Sequence, residues 1–120
     1  AVLRGAEVWC TSRDATFPMP DGPWPATGSV VAAVEAATGV EARSVGKPEP
    51  QLFLTALDRL GDGRALAIGD RLDADVAGAR AAGIDGAIVL TGATSASMAR
   101  EADPAPTFVA ASLAELLLAP

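Results

Sequence analysis

The chain has 120 residues, half of them hydrophobic and 20% charged, with a formal charge of −6 at pH 7 and no histidine. That balance is globular rather than disordered. It argues against a phosphate track for nucleic acid or an anionic membrane surface, and without histidine neither a Cys/His metal site nor a His-based triad can form within these residues. No apolar run approaches the ~18 residues of a membrane span and no basic segment leads into a short apolar one, so the expectation is a soluble, cytoplasmic protein.

Taken in chain order, residues 1–5 read as a helix end closed by Gly5, and residues 6–11 as a strand with Val8 and Cys10 on alternating positions. Cys10 has no partner for an internal disulfide and reads as a buried, inert thiol. Residues 12–25 hold Pro18, Pro20, Pro23 and Pro25 and read as a long semi-rigid loop, since proline is excluded from helix interiors and central strands. Long loops are often functional, so Asp14 and Trp24 are its candidate working residues; a solvated Asp and a Trp plugged onto the core are the plainer alternatives.

Residues 27–38 read as a helix with Thr27 as N-cap, Val30, Val31 and Val34 as its apolar stripe and Gly39 as its stop. A short strand over 40–45 follows. Gly46-Lys47-Pro48-Glu49-Pro50 breaks it and opens a helix over 49–60, whose predicted buried face is Leu52, Phe53, Ala56, Leu57 and Leu60. Next come a buried strand at 65–68, a helix from about 73 to 82 with Ala77, Gly78 and Ala81 on a close-packing inner face, and a strand at 86–90. A polar loop at 91–94, a short helix near 97–102, a strand at 107–109 and a helix at 112–118 complete the order. Strand and helix alternate from residue 40 onward, which predicts a parallel sheet with right-handed crossovers.

In such a sheet the strand-to-helix turns share one edge, so the loops holding Lys47, Asp70 and Thr91 should converge. Lys47 is the single lysine beside eight arginines, and Asp70, Asp73 and Asp75 follow the apolar run Ala65-Leu66-Ala67-Ile68 and Gly69. A point-charge cation and carboxylates at one edge suit Mg²⁺ together with a phosphate. Asp73 and Asp75 also stand where N-caps and first-turn acids belong; Asp70, directly past a buried strand, is the stronger functional candidate.

Val45-Gly46-Lys47-Pro48, Ile68-Gly69-Asp70-Arg71-Leu72-Asp73-Ala74-Asp75 and Val89-Leu90-Thr91-Gly92 together resemble the haloacid dehalogenase (HAD) superfamily of phosphatases. The branch resembled is subfamily IIA, of the NagD-like, 4-nitrophenyl phosphatase and phosphoglycolate phosphatase types. Thr11-Ser12-Arg13-Asp14 resembles the end of that branch's inserted cap, with Ser12 where relatives usually carry asparagine. The resemblance implies an α/β fold: a partial Rossmann-like parallel sheet with flanking helices, the C-terminal half of a HAD core over 41–120, preceded by a remnant of the cap and the return to the core over 1–40. It implies that Lys47 steadies the nucleophile and the transferring phosphoryl group, that Asp70 is the Mg²⁺ ligand, that Asp75 supports the metal's water and the lysine, and that Asp14 bears on substrate choice.

The same family attacks phosphorus with the first Asp of a D-x-D-G motif and uses the second as general acid and base. No D-x-D-G occurs in these 120 residues. The expectation is therefore a fragment of a Mg²⁺-dependent phosphatase for small phosphate monoesters, inactive alone. The strand at 65–68 would have an open edge inviting aggregation or homo-oligomerisation. The competing reading is a non-catalytic binding or oligomerisation module derived from a truncated HAD-like protein. A third, a phospho-receiver or nucleotide-binding domain, lacks a G-x-G-x-x-G or Walker loop.

Overall fold

The computed structural model describes residues 1–118; the last two residues of the predicted 41–120 segment lie outside the described residues. The chain divides into two compact units, 1–46 and 47–120.

The first unit begins with a 3-10 turn at Val2–Arg4, followed by β1 (Trp9–Cys10), the hairpin β2 (Thr16–Met19) and β3 (Gly22–Pro25), α1 (Thr27–Thr38) and β4 (Arg43–Ser44). β1 and β4 pair in parallel. Cys10, Val31 and Ala42 are buried together, with Val8 packed against them. The thiol is therefore a core group, as its apolar neighbours imply. Helix α1 keeps its predicted bounds, but Ala26 occupies the N-cap with no side-chain hydrogen bond, and Val30 faces solvent.

The predicted loop over 12–25 is instead an antiparallel hairpin. Its prolines are compatible with pairing because of their parity. Pro18 faces Pro23 and Thr16 faces Pro25, while Phe17–Trp24 and Met19–Gly22 are the alternate pairs. Antiparallel ladders place hydrogen bonds at every second pair, so all three strand prolines occupy pairs that need no N–H. Pro20-Asp21 forms the turn ahead of Gly22, a turn sequence with proline and glycine at favoured positions. Trp24 does not plug a core: it is half-exposed, and its Nε1–H donates to Asp21 Oδ1 at 2.9 Å.

One polar cluster ties α1 to β4. Glu35 Oε1 accepts from the Ala42 N–H at 2.8 Å and from Arg13 Nη2 at 3.1 Å, and Arg13 Nη2 also donates to the Ala42 carbonyl. The Ala42 N–H first, and Arg13 second, hold the Glu35 carboxyl below its ordinary value of 4.5. A depressed carboxyl stabilises the fold above the unfolded-state range, and that contribution is lost as pH falls through the folded-state value. Melting temperature followed from neutral pH into the acid range should therefore fall less steeply in Glu35→Gln than in the unaltered protein. Parallel acid limbs would remove this linkage.

The second unit contains α2 (Gln51–Leu60), β5 (Leu66–Gly69), a π-helical turn (Leu72–Val76) running into α3 (Ala77–Ala81), β6 (Asp85–Val89), α4 (Ala96–Glu101), β7 (Phe108–Ala110) and α5 (Leu113–Leu118). Its sheet is parallel, ordered β5-β6-β7, with β5 at an edge among the described residues. Ala74, Val76, Ala79, Ala87, Ile88, Ala99 and Ala110 are buried. This is the predicted α/β architecture, a parallel sheet with flanking helices.

Two packing expectations change. No residue of α2 is buried; Phe53 and Leu57 are half-covered, while Leu60 is 76% exposed. The inner face of α3 is also shifted: Ala79 is fully buried and Ala81 is exposed, while Gly78 lies where a Cβ would meet Phe53 at 2.6 Å. That glycine makes room for α2 rather than for the sheet. No helix among the described residues is long and apolar enough to cross a membrane.

Candidate active site

Strand β5 ends at Gly69, and the chain then turns through Asp70 and Arg71 into the π-helical turn. The turn is fastened by Asp75, a carboxylate only 7% exposed. Its Oδ2 accepts the N–H groups of Asp70 at 3.1 Å and Arg71 at 3.0 Å, and its Oδ1 accepts from Lys47 Nζ at 2.5 Å. Both oxygens are thus engaged inside the protein. Gly69 is required beneath them, because a Cβ there would meet the Asp75 Cγ and Oδ2 at 2.2 Å.

The loop after β6 fixes Asp70 from the other side. The Ala93 N–H donates to Asp70 Oδ2 at 2.8 Å, and the Thr94 N–H donates to the Asp70 carbonyl at 3.0 Å. Gly92 allows this approach, since a Cβ on it would lie 2.1 Å from Asp70 Oδ2. One Asp70 oxygen is held by the backbone while the other carries no hydrogen bond among the described residues. Gly69 and Gly92 stand in the motifs quoted above, but the close approaches that require them, to Asp75 and to Asp70, and the Ala93 N–H donation to Asp70, are visible only in the folded chain.

Asp73 turns to Arg71. The guanidinium grips it at 3.1 Å through Nε and 2.8 Å through Nη2, and this holds the Asp73 carboxyl below its ordinary range. The predicted N-cap at Asp73 is not formed: Arg71 occupies the cap with no side-chain hydrogen bond. The structure therefore brings Lys47, Asp70 and Asp75 together within the second unit. Asp14 belongs to the first unit, where the Asp14 and Ala15 carbonyls accept the N–H groups of Gly28 and Ala26 at the start of α1, and the Ser12 hydroxyl donates to the Asp14 carboxylate at 3.0 Å.

No group of three or more potential acidic or thiolate ligands converges among the described residues. Asp75 and Asp73 are committed to cations of the protein itself, so Asp70 alone presents a carboxylate oxygen outward. Mg²⁺ keeps several waters and takes one or two carboxylates plus phosphate oxygens, so one fixed carboxylate beside an ammonium fits part of such a site.

Residues 44–116 match the HAD-hydrolase-like family, and the chain belongs to it. Over 118 residues it is 44% identical to D-glycerol 3-phosphate phosphatase of Mycobacterium tuberculosis, an alignment covering 95% of this chain and 33% of the relative. It is 40% identical to dihydroxyacetone phosphatase of Corynebacterium glutamicum, covering 96% of this chain and 42% of the relative. The crystal structure of a glycerol phosphate phosphatase from M. tuberculosis in complex with magnesium superposes with a TM-score of 0.89 at 42% identity, over 96% of this chain and 36% of that one. These relatives are phosphatases of the resembled superfamily. The chain spans between a third and about two fifths of the length of these curated relatives.

Proposed function

We propose that this chain is part of a Mg²⁺-dependent HAD-type phosphatase that hydrolyses small phosphate monoesters through an aspartyl-phosphate, with the nucleophilic Asp supplied from outside these 120 residues. The observation that carries the reading is the continuous set of contacts from Lys47 through Asp75 to Asp70 at the carboxyl end of a parallel sheet. On this reading the roles divide as follows. Lys47 is the cation for the nucleophile and the phosphoryl oxygens. Asp70 is the metal ligand, and Asp75 is a positioning residue that orients the lysine and the Asp70 loop. When bound, Mg²⁺ would offset negative charge on the phosphate.

The relatives named for glycerol phosphate and dihydroxyacetone support a small phosphorylated substrate, and the magnesium complex supports the metal. On the family resemblance, residues 1–40 are the end of the cap and the return to the core, 41–120 are the C-terminal half of the core, and Asp14 influences substrate choice. Among the described residues β5 lies at the sheet's edge, where a further strand could pair, whether from the nucleophile-bearing segment or from a second copy.

Asp70→Asn, in protein that includes the nucleophile-bearing segment, should lower Mg²⁺-dependent hydrolysis of glycerol 3-phosphate by at least about 10²-fold with an unchanged circular-dichroism melt. Retained turnover would sink the metal assignment. Absence of hydrolysis before any substitution, with the nucleophile supplied, would favour a non-catalytic binding or oligomerisation module.

A further inference from the structure

The sheet that leads into Asp70 does not fix Lys47. The strand before the lysine, β4, pairs with β1 in the first unit and takes no part in the β5-β6-β7 ladder. The ion pair to Asp75 is a weak anchor by itself. A lysine ammonium hangs on a flexible four-carbon stem, and this side chain is 42% exposed, so the pair fixes the tip more than the main chain behind it.

A second anchor lies in the first turn of α2, at Phe53. No residue of that helix is buried, yet the Phe53 ring is half-covered. What covers it is Gly78 of α3. A Cβ on Gly78 would lie 2.6 Å from Phe53 Cε2, 3.4 Å from Phe53 Cδ2 and 3.3 Å from the Pro48 carbonyl oxygen. Any side chain there would displace the ring and press on the residue that follows Lys47.

Gly78 is buried and follows Asp75 by three residues, where the π-helical turn runs into α3 with right-handed helical backbone at Val76 and Ala77. Residues three apart on a helical run are neighbours on one face. That face therefore receives the Lys47–Phe53 segment at two points. Asp75 takes the ammonium at 2.5 Å, and Gly78 takes the ring and the Pro48 carbonyl.

We propose that Phe53 and Gly78 are positioning residues for Lys47: the ring seated on the glycine sets the main chain at Lys47-Pro48 so that the ammonium meets Asp75. Its bearing on catalysis rests on the phosphatase reading above, whereas the placement itself does not. The ring and the lysine act as a pair, one holding the chain and the other presenting the charge.

The test uses protein that includes the nucleophile-bearing segment, labelled with ¹³C at lysine. The Lys47 ε-methylene signal is assigned by its loss in Lys47→Arg, and Asp75→Asn gives its position without the ion pair. Gly78→Ala should move the signal at least about half of the way to that position. It should also lower kcat for glycerol 3-phosphate at least about tenfold, with a smaller change in KM. Leucine ends at Cδ and lacks the ring atom at 2.6 Å, so Gly78→Ala/Phe53→Leu should return the signal and most of kcat. Phe53→Ala adds no atom and should move the signal in the same direction, which keeps the test decisive if Gly78→Ala does not fold. Amide signals of β5 and β6 should stay in place throughout, as they would not in a general loss of structure. The placement is overturned by a Lys47 signal that is unmoved in Gly78→Ala or Phe53→Ala, or that the double variant does not restore. A signal that responds as expected in protein that hydrolyses no phosphate ester upholds the placement and sinks the phosphatase reading instead.

Discussion

Asp75→Ala is expected to destabilise the protein by about 3 kcal/mol, read as a lowered midpoint of urea unfolding at unchanged slope. The reason is local. One buried carboxylate accepts three hydrogen bonds, from Lys47 and from the N–H groups of Asp70 and Arg71. Alanine removes all three acceptor contacts, and each N–H left without a partner out of water costs about 1–3 kcal/mol. Lys47 adds less to that loss, because its side chain is 42% exposed and can turn into solvent.

The asymmetry gives a sharper comparison. Lys47→Met leaves Asp75 bonded to both backbone N–H groups, so it should cost about 1 kcal/mol, well under the Asp75→Ala value. Asp75→Asn should fall between the two, since its single amide oxygen can serve the N–H pair while its NH₂ then faces the lysine. If Lys47→Met proved as destabilising as Asp75→Ala, the ion pair rather than the backbone clasp would be what holds the turn, and the positioning role assigned to Asp75 would fail.

Much of the second unit was legible because its signals are periodic and local. Short apolar runs bounded by glycine mark β5 and β6, one following Pro104 and Pro106 marks β7, and the helices between them require parallel pairing. The convergence of the Asp70 loop with the loop after β6 is legible for a related reason: in a parallel sheet, sequence position after a strand is position in space. The approach of Lys47 to Asp75 is not legible that way, because the strand before Lys47, β4, pairs with β1 in the first unit and not with the β5-β6-β7 sheet. The hairpin at residues 16–25 is not legible either, because each proline taken singly argues against a strand. What decides its compatibility is parity, and Pro18, Pro23 and Pro25 all fall on the pairs without ladder bonds. Pro20-Asp21-Gly22 is a turn signal that the prolines on either side of it mask.

Burial was the least legible property. The 3.6-residue pattern of α2 identifies Leu52, Phe53, Ala56, Leu57 and Leu60 as one apolar stripe, but periodicity names a face and not what covers it. Only Phe53 and Leu57 find partial cover. Tight approaches are equally hidden, since Gly78 against Phe53 and Gly92 against Asp70 join residues far apart in sequence.

Gly92→Ala follows from the last of those approaches and, in protein that includes the nucleophile-bearing segment, is expected to cut the proposed Mg²⁺-dependent phosphatase turnover by about 10²-fold while leaving the fold intact. A Cβ at this position would sit 2.1 Å from Asp70 Oδ2 and 2.5 Å from its Cγ, closer than such atoms can approach. Either the Asp70 carboxylate swings away or the loop after β6 retreats, and both movements break the 2.8 Å hydrogen bond from the Ala93 N–H. A displacement near 1 Å at the carboxylate proposed to hold the metal is enough for a loss of this size. Gly92 lies on an exposed loop, so the added methyl meets no core and the melting temperature should hardly move. Ala93→Gly keeps the donating N–H and should leave activity near its original level. The distinguishing measurement is the Mg²⁺ concentration at half-maximal activity, which should rise in Gly92→Ala and not in Ala93→Gly. An unchanged Mg²⁺ dependence in Gly92→Ala would mean that Asp70 reaches its working position without this loop.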